Sequence, residues 1–370
     1  MFYNPSAIVV DSFGNFFVAD NSNYRIRKIT PTGTVTTFVG GGQSSVPGYG
    51  TNVSLQNYNF SGMAMDRSNI LWVATLYSPG LLRIAPDGLV QMVPLVGLSN
   101  IGGVCSDSQN NLYISDNFGN RIYRLRPNGT LEVLAGSGNP GAFDGNGIFT
   151  SFHGPTVLTV DTADNVYVWD SSNYLLRKIN QSRDVVTVAG KLGTALNEDG
   201  VGTNATFAGV AGMFADPSGN IVLSAAASYY SSSGSSIRRM AADGTVTTIA
   251  GNFSQTGFVN GVGSTALFSG ASGLCTSQGK IFVADSNNQR IRSITFDSAP
   301  QLVSGANLVL ETYPGLKITG TVGRTYRVES STNMSNWNRE ETILLNRTPY
   351  LWIDENASAG QKFYRAFLLP

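Results

Sequence analysis

One unit of sequence repeats along most of this chain, and a repeat of this length leaves few folds open. The first copy contains Ile8-Val9-Val10-Asp11, Gly14-Asn15-Phe16-Phe17-Val18-Ala19-Asp20, Asn23 and Arg25-Ile26-Arg27-Lys28-Ile29. It ends on Thr32-Gly33-Thr34-Val35-Thr36-Thr37-Phe38-Val39-Gly40. The unit returns around Asp66, Asp107, Asp161 and Asp216 and, worn, near Thr276; the interval is 41 residues between the second and third copies and 54 to 60 elsewhere. Each copy holds four short runs of β-branched and aromatic residues, which in the third are 103–105, 112–115, 121–125 and 131–134. The joints carry turn residues such as Thr32-Gly33, Asp87-Gly88, Asn128-Gly129 and Asp243-Gly244. These pairs suit the positive φ of two-residue hairpin loops. Four antiparallel strands per unit describe a propeller blade. A single blade leaves both faces bare, so the units must pack on one another in a ring.

The repeats resemble the NHL family of β-propeller repeats. The motif G-N-x-x-V-A-D-x-x-N-x-R-I-R-K-I-x-x-x-G-x-V-T-T-x-x-G stands in the first unit and is clear again at 164–190 and 280–294. The linkers agree as well, with Asp144-Gly145-Asn146-Gly147 leading to Phe152 and Asp199-Gly200-Val201-Gly202 leading to Phe207. The second unit departs with Thr75 for the Asp of V-A-D, and the fifth with Ala225 and an insertion at 226–236. The expected fold is all-β: a six-bladed β-propeller over 1–298 and a small β-sandwich over 299–370. In the latter the runs 308–312, 316–319, 325–330, 342–345, 350–354 and 362–368 alternate, and Tyr326, Trp337, Trp352 and Tyr364 can fill a core. The segment Tyr326-Arg327-Val328-Glu329-Ser330-Ser331-Thr332-Asn333-Met334-Ser335-Asn336-Trp337, followed by Phe363-Tyr364-Arg365, resembles small C-terminal modules of secreted, multidomain proteins from environmental bacteria.

Ring closure poses a specific question. The first unit opens at once on its inner strand, and the sixth shows only three strands, near 272–276, 280–284 and 290–295. A fourth comes from Pro300, Gln301, Leu302 and Val303, from another chain, or not at all. An unpaired strand edge is a template for association.

Composition narrows the chemistry. Lys+Arg and Asp+Glu are 24 each, charged residues make up 13%, and there are one His and two Cys. A neutral chain with few cations is a poor partner for nucleic acid or an anionic membrane. No apolar run is long enough to insert as a helix, and Met1-Phe2-Tyr3-Asn4-Pro5 has neither the basic nor the apolar region of a secretion signal. Low charge with abundant Ser, Thr, Asn, Gly and Tyr points to an extracellular or cell-surface setting. A multi-histidine metal site and a disulfide framework are both excluded. Cys105 and Cys275 align with Val10, Met65, Val160 and Ala215, an apolar slot three units apart, which predicts two buried free thiols.

Several residue sets admit a chemical and a structural reading. Asp20, Asp116, Asp170 and Asp285, each followed by Asn three or four positions on, are a ring of ligands or a set of strand-end turns. Asp11, Asp66, Asp107, Asp161 and Asp216 are oxygen ligands for a cation or hairpin-turn residues. Asp144–Gly147 and Asp199–Gly202 read as turns rather than calcium loops. Arg27, Lys28, Arg124, Arg177, Lys178, Arg238 and Arg292 contact an anion, or make inter-blade ion pairs and solvated edges. His153, in Phe152-His153-Gly154-Pro155, belongs near one mouth of the channel, where a lone imidazole could act as acid or base. Its neighbour Phe152 aligns with Phe60, Phe207 and Phe268. Tyr229 and Tyr230, on the Ser/Gly-rich insertion, are the best contact pair.

These observations favour a non-catalytic extracellular or cell-surface interaction or structural protein without metal or cofactor. Protein partners, or self-association through the last blade and the sandwich, are expected. Families of similar shape include metal-dependent lyases and lactonases, so an enzyme working in the channel is one alternative. A glycan-binding propeller is the other.

Overall fold

The structure, a computed structural model, describes residues 1–76, 80–226, 234–296, 315–318, 321, 323–333, 335–336, 338–345, 350–353 and 363–369. The chain divides into two compact units, Met1–Asp297 and Ser298–Pro370.

Among the described residues, the first unit holds six antiparallel sheets, each built in chain order from its innermost strand outward. The innermost strands are Pro5–Val10, Asn59–Met65, Ile101–Ser106, Pro155–Val160, Val210–Ala215 and Ala271–Ser277. Each neighbours the next, and Ala271–Ser277 returns to Pro5–Val10. The second strands Phe16–Asp20, Leu112–Asp116 and Val166–Asp170 are buried at every position. They lie mid-sheet with another sheet on either face, which is why these runs are apolar without alternation. The outermost Val35–Val39 is exposed at its start and buried at its end.

Every junction between successive sheets has its own apolar cluster. Phe17, Ile26, Leu71 and Val73 join the first two sheets, and linker residues Val53 and Leu55 are buried in the same cluster. Ile8, Phe16 and Val18 of the first sheet meet Cys275 of the sixth, with the Phe16 and Phe282 rings 4.4 Å apart. Where innermost strands approach, side chains are minimal: a Cβ on Gly273 would lie 2.5 Å from the Ala7 Cα.

The loops between third and fourth strands differ from the two-residue form expected. The Thr30 N–H donates to the Thr34 carbonyl (3.0 Å) and the Gly33 N–H to the Thr30 carbonyl (2.8 Å). Only Gly33, at φ +85°, is left-handed, so this is a three-residue loop closed by one glycine. Registers also correct two alignments. Cys105 pairs with Tyr113 and Cys275 with Phe282, which makes their equivalents Val9, Ala64, Thr159 and Phe214, one residue from the slot expected. Thr276 pairs with Ile281, so the sixth counterpart of Asp11 is Ser277.

The sixth sheet has three strands among the described residues, ending on Arg290–Thr295. Pro300, Gln301, Leu302 and Val303, the expected source of a fourth, lie outside the described residues.

In the second unit Gly315–Ile318 pairs with Tyr350–Ile353, and Thr325–Ser331 lies between Asn338–Leu344 and Phe363–Leu368. Tyr326, Val328, Ile343 and Leu345 form its buried cluster. Trp337 and the run 308–312 lie outside the described residues.

Candidate functional site

The recurring Asp at the end of the second strand is a fastener between distant segments. Asp170 accepts hydrogen bonds from the His153 N–H (2.7 Å), the Asn173 amide (2.7 Å) and the Arg177 guanidinium (3.0 Å). Asp20 takes the Tyr3 N–H and the Asn23 amide, and Asp285 takes the Ser269 N–H and the Asn288 amide. Asp116 takes the N–H groups of Ser99, Asn100 and Gly119. Each carboxylate thus ties the chain entering an innermost strand to the end of the strand beside it. The bond bridges 16 or 17 residues, farther than the local turn expected. Burial pushes the Asp170 carboxyl up to about 6, against the donors that favour its ionised form.

Three of the third-strand arginines, Arg177, Arg238 and Arg292, are latches on a linker, whereas Arg27 bonds Asp20 and Arg124 pairs with Glu132 within their own sheets. Arg177 and Arg238 are fully buried. Arg177 donates to the Phe143 and Ser151 carbonyls and pairs with Asp144 at 2.7 Å. Arg238 donates to the Glu198 and Thr206 carbonyls and pairs with Asp199 at 2.9 Å. Arg292 reaches Asn260, Val259 and Leu267 in the same way. The linker aromatic lies against each guanidinium, with Phe152, Phe207 and Phe268 centroids 5.1, 4.6 and 4.4 Å from the respective Arg carbons. The Asp of each Asp-Gly-x-Gly segment therefore serves an arginine on the following sheet, and also takes the N–H and hydroxyl of Thr187 or Thr248.

The second and third sheets lack this device. In the second, Leu82 stands at the Arg position, Thr75 at the Asp position and Pro47 at the linker Asp position. Leu55 takes the place of the linker Phe, since Gly40 faces Leu55 as Gly136 faces Phe152 and Gly251 faces Phe268. Phe60, the expected counterpart, instead pairs with Thr75 inside the innermost strand. In the third sheet Tyr123 holds the Arg position, and its hydroxyl donates to the Gly97 carbonyl of the short linker. These partnerships were legible as co-occurring residues, but nothing local in the sequence links residues more than 30 apart.

The inner-turn carboxylates serve their own hairpins. Asp11 takes the N–H groups of Phe13 and Asn15 and the Asn15 amide; Asp107, Asp161 and Asp216 repeat the pattern. Asp66 takes the Ser68 and Ile70 N–H groups in the same way, with the Trp72 indole N–H at 2.9 Å in place of the Asn amide. Neighbouring hairpins are stapled sideways: the side chains of Asn69, Asn110 and Asp164 accept the N–H groups of Ser12, Arg67 and Ser108. Among the described residues, no three His, Cys, Asp or Glu side chains gather as a metal-binding group.

His153 is exposed where the chain enters the fourth innermost strand, and its backbone is held by Asp170 and by the Ser172 N–H. The channel between innermost strands encloses about 70 Å³ and is lined by Gly, Ala, Ser and aliphatic residues such as Ser6, Gly62, Met63, Val104 and Leu274. Tyr229 and Tyr230, like Pro300–Val303, lie outside the described residues. Cys105 and Cys275 are buried free thiols whose pKa values burial raises well above the ordinary.

A larger cleft was not expected from the sequence. It measures about 730 Å³ and opens between the second and third sheets, bordered by Trp72, Arg83, Leu112, Leu125, Arg126 and Leu131. The signal for it was the 41-residue interval between those two units.

Comparison with known proteins agrees with this architecture. Residues 268–292, spanning the first two strands of the sixth sheet and the start of its third, match the NHL repeat family. No curated protein matches the chain. A protein of unknown function from Bacteroides thetaiotaomicron is similar in structure: TM-score 0.61, 18% identity, covering 79% of this chain and 69% of that one. So is an auxiliary nutrient binding protein from the same organism, at TM-score 0.60 and 14% identity, covering 79% and 69%. A putative gluconolactonase gives TM-score 0.52 and 15% identity, covering 80% and 89%. At these identities the likeness is one of fold, that of an all-β propeller with NHL-type repeats.

Proposed function

We propose that this chain is a six-bladed propeller with a C-terminal β-sandwich that acts as a non-catalytic interaction or structural protein, outside the cell or on its surface. The observation that carries this reading is how the recurring polar residues are used. The strand-end Asp and linker Asp sets and Arg27, Arg177, Arg238 and Arg292 are bonded to one another or to main chain, and small and aliphatic residues line the channel. What remains for recognition is surface: loops, strand edges and the cleft between the second and third sheets. The three-stranded sixth sheet supports self-association, because Arg290–Thr295 is its outermost described strand. Tyr229, Tyr230 and His153 belong to the same reading as contact residues, with protein or glycan as partner.

Sedimentation velocity and negative-stain imaging over a concentration series test it. Concentration-dependent fibres or rings that vanish on deleting 300–303, with the propeller still folded, support assembly through the last blade. A 39.3 kDa particle at all concentrations removes self-assembly from the reading.

A metal-dependent lyase or lactonase working in the channel is the competing reading, prompted by the gluconolactonase neighbour. It requires a cation held by this chain. Stoichiometric metal retained through purification and lost with a channel substitution would favour it.

A further inference from the structure

Three of the six sheets gain a two-residue outer strand from the linker before them. Gly48–Tyr49 adds to Leu89–Pro94, Gly145–Asn146 to Asp184–Ala189, and Gly200–Val201 to Thr245–Gly251. In each case the next glycine donates its N–H to the loop between third and fourth strands: Gly50 to Gly88, Gly147 to Arg183 and Gly202 to Gly244, all at 2.9 Å. Three residues later Val53, Thr150 or Ala205 is fully buried between the sheets. The chain thus fills these clefts with one kind of object, a segment of the form Gly-Xaa-Gly-Xaa-Xaa whose first two residues pair as a strand and whose next three make a single 3-10 turn, followed by a small or β-branched residue.

Between the second and third sheets that object is missing among the described residues. The connection from Leu89–Pro94 to Ile101–Ser106 is too short to descend the outer edge, and the third sheet ends on Leu131–Ala135. The 730 Å³ cleft lies in its place, bordered by the Gly129 loop that corresponds to Gly88 and Gly244. Trp72, in the strand position of Phe17, is half-buried here. Phe17 itself is packed under Phe38 beside linker residue Val46. Leu112 and Leu125 form an apolar floor, and Val96 stands at the rim with 88% of its surface exposed.

We propose that this cleft docks a peptide segment of a partner protein with the same strand-then-turn form, its first residues adding as a short fifth strand to the edge of Leu131–Ala135. Main-chain pairing to an open edge supplies affinity, and the apolar trough beside it supplies selectivity. The occupant is identified by the chain's own practice in the three equivalent clefts. A second copy is disfavoured, because the three paired linkers are committed to their own sheets and the matching run at 261–266 is anchored by Arg292 through Val259 and Asn260. This names a partner class for the interaction reading and is independent of self-assembly, which sedimentation measures separately.

The test uses the full chain and a synthetic peptide copying residues 197–207, Asn-Glu-Asp-Gly-Val-Gly-Thr-Asn-Ala-Thr-Phe. Titration calorimetry and tryptophan fluorescence should give one site with a Kd of about 100 µM or tighter. Two variants control it: Leu131→Arg fills the trough, and Val96→Arg charges the rim at an exposed position where folding is unaffected. Binding about tenfold weaker in either folded variant supports the proposal. It is overturned by no binding up to about 1 mM, by equal binding of a scrambled peptide, or by unchanged binding in both variants. A fluorescence response to oligosaccharides with none to the peptide would assign the cleft to a glycan and also overturn it.

Discussion

The Ser286 hydroxyl donates a buried 2.5 Å hydrogen bond to the carbonyl of Pro5, 281 positions away in the chain. Ser272 reaches the same carbonyl at 3.3 Å. With the Phe16–Phe282 ring contact, these bonds join the first sheet to the last. Among the described residues no strand is exchanged between the two sheets: the first keeps its four strands in chain order, and the sixth keeps three. The junction is made by side chains and by close approach of innermost strands, and this leaves the outer edge of the sixth sheet as a separate matter.

That close approach makes Gly273 a sensitive position. A Cβ there would fall 2.5 Å from the Ala7 Cα, against backbone that cannot step aside. Gly273→Ala should cost about 1–3 kcal/mol by overpacking. Urea denaturation measures it, and a variant as stable as the parent would show that the first and sixth sheets move apart freely.

Asp170 and Arg177 form a fully buried pair at 3.0 Å. Arg177→Leu leaves the carboxyl without its cation and should cost about 3–5 kcal/mol. The second sheet shows how this slot is built without charge, with Thr75 and Leu82 in the two positions. Asp170→Thr combined with Arg177→Leu should therefore be more stable than Arg177→Leu alone. Equal stability of the single and double variants would mean that Asp144 and the linker carbonyls, not Asp170, are what Arg177 holds.

Asp170 also carries a pH signature. Its carboxyl is raised to about 6 by burial, against about 3.9 in an unfolded chain. Between those values the folded protein holds the proton more tightly. The contribution of this group is therefore greatest below about pH 4 and is lost as pH rises through about 6, with a size on the order of 2–3 kcal/mol. Comparing denaturation midpoints of the parent and Asp170→Asn from pH 4 to 7 isolates it. Identical pH slopes in the two proteins would remove Asp170 as the source.

Both thiols are buried, and burial holds them in the protonated form. Alkylating reagents act on the thiolate. Native protein should resist alkylation at neutral pH, and both cysteines should react on unfolding. Rapid modification of Cys275 in the native state would indicate that the junction between first and last sheets opens in solution.

Much of the repeating architecture was legible because it is encoded locally. The V-A-D and R-I-R-K-I runs marked second and third strands, and Thr32-Gly33 and its counterparts marked the loops between third and fourth. A strand and its hairpin depend on residues within a few positions of each other. Alignment by sequence still slipped by one residue at Cys105 and by a whole segment at Phe60. Innermost strands are bulged, as between Ile101 and Gly103, and linkers vary in length. Register there is set by the partner strand.

What the sequence determined by itself was the repeated all-β unit, its internal order and the neutral, nearly histidine-free chemistry available to it. Only the tertiary structure decided which distant residues meet. Arg177 and Arg238 looked like solvated edge cations, yet a linker from the preceding unit folds over each and brings its Asp and Phe along. The Asp170 carboxylate holds the main chain of His153 because the entry to one strand lies beside the end of the next. The cleft beside Trp72 exists because one linker is too short to fill it. Each outcome depends on how neighbouring sheets pack, a relation between segments tens to hundreds of residues apart that no local pattern encodes.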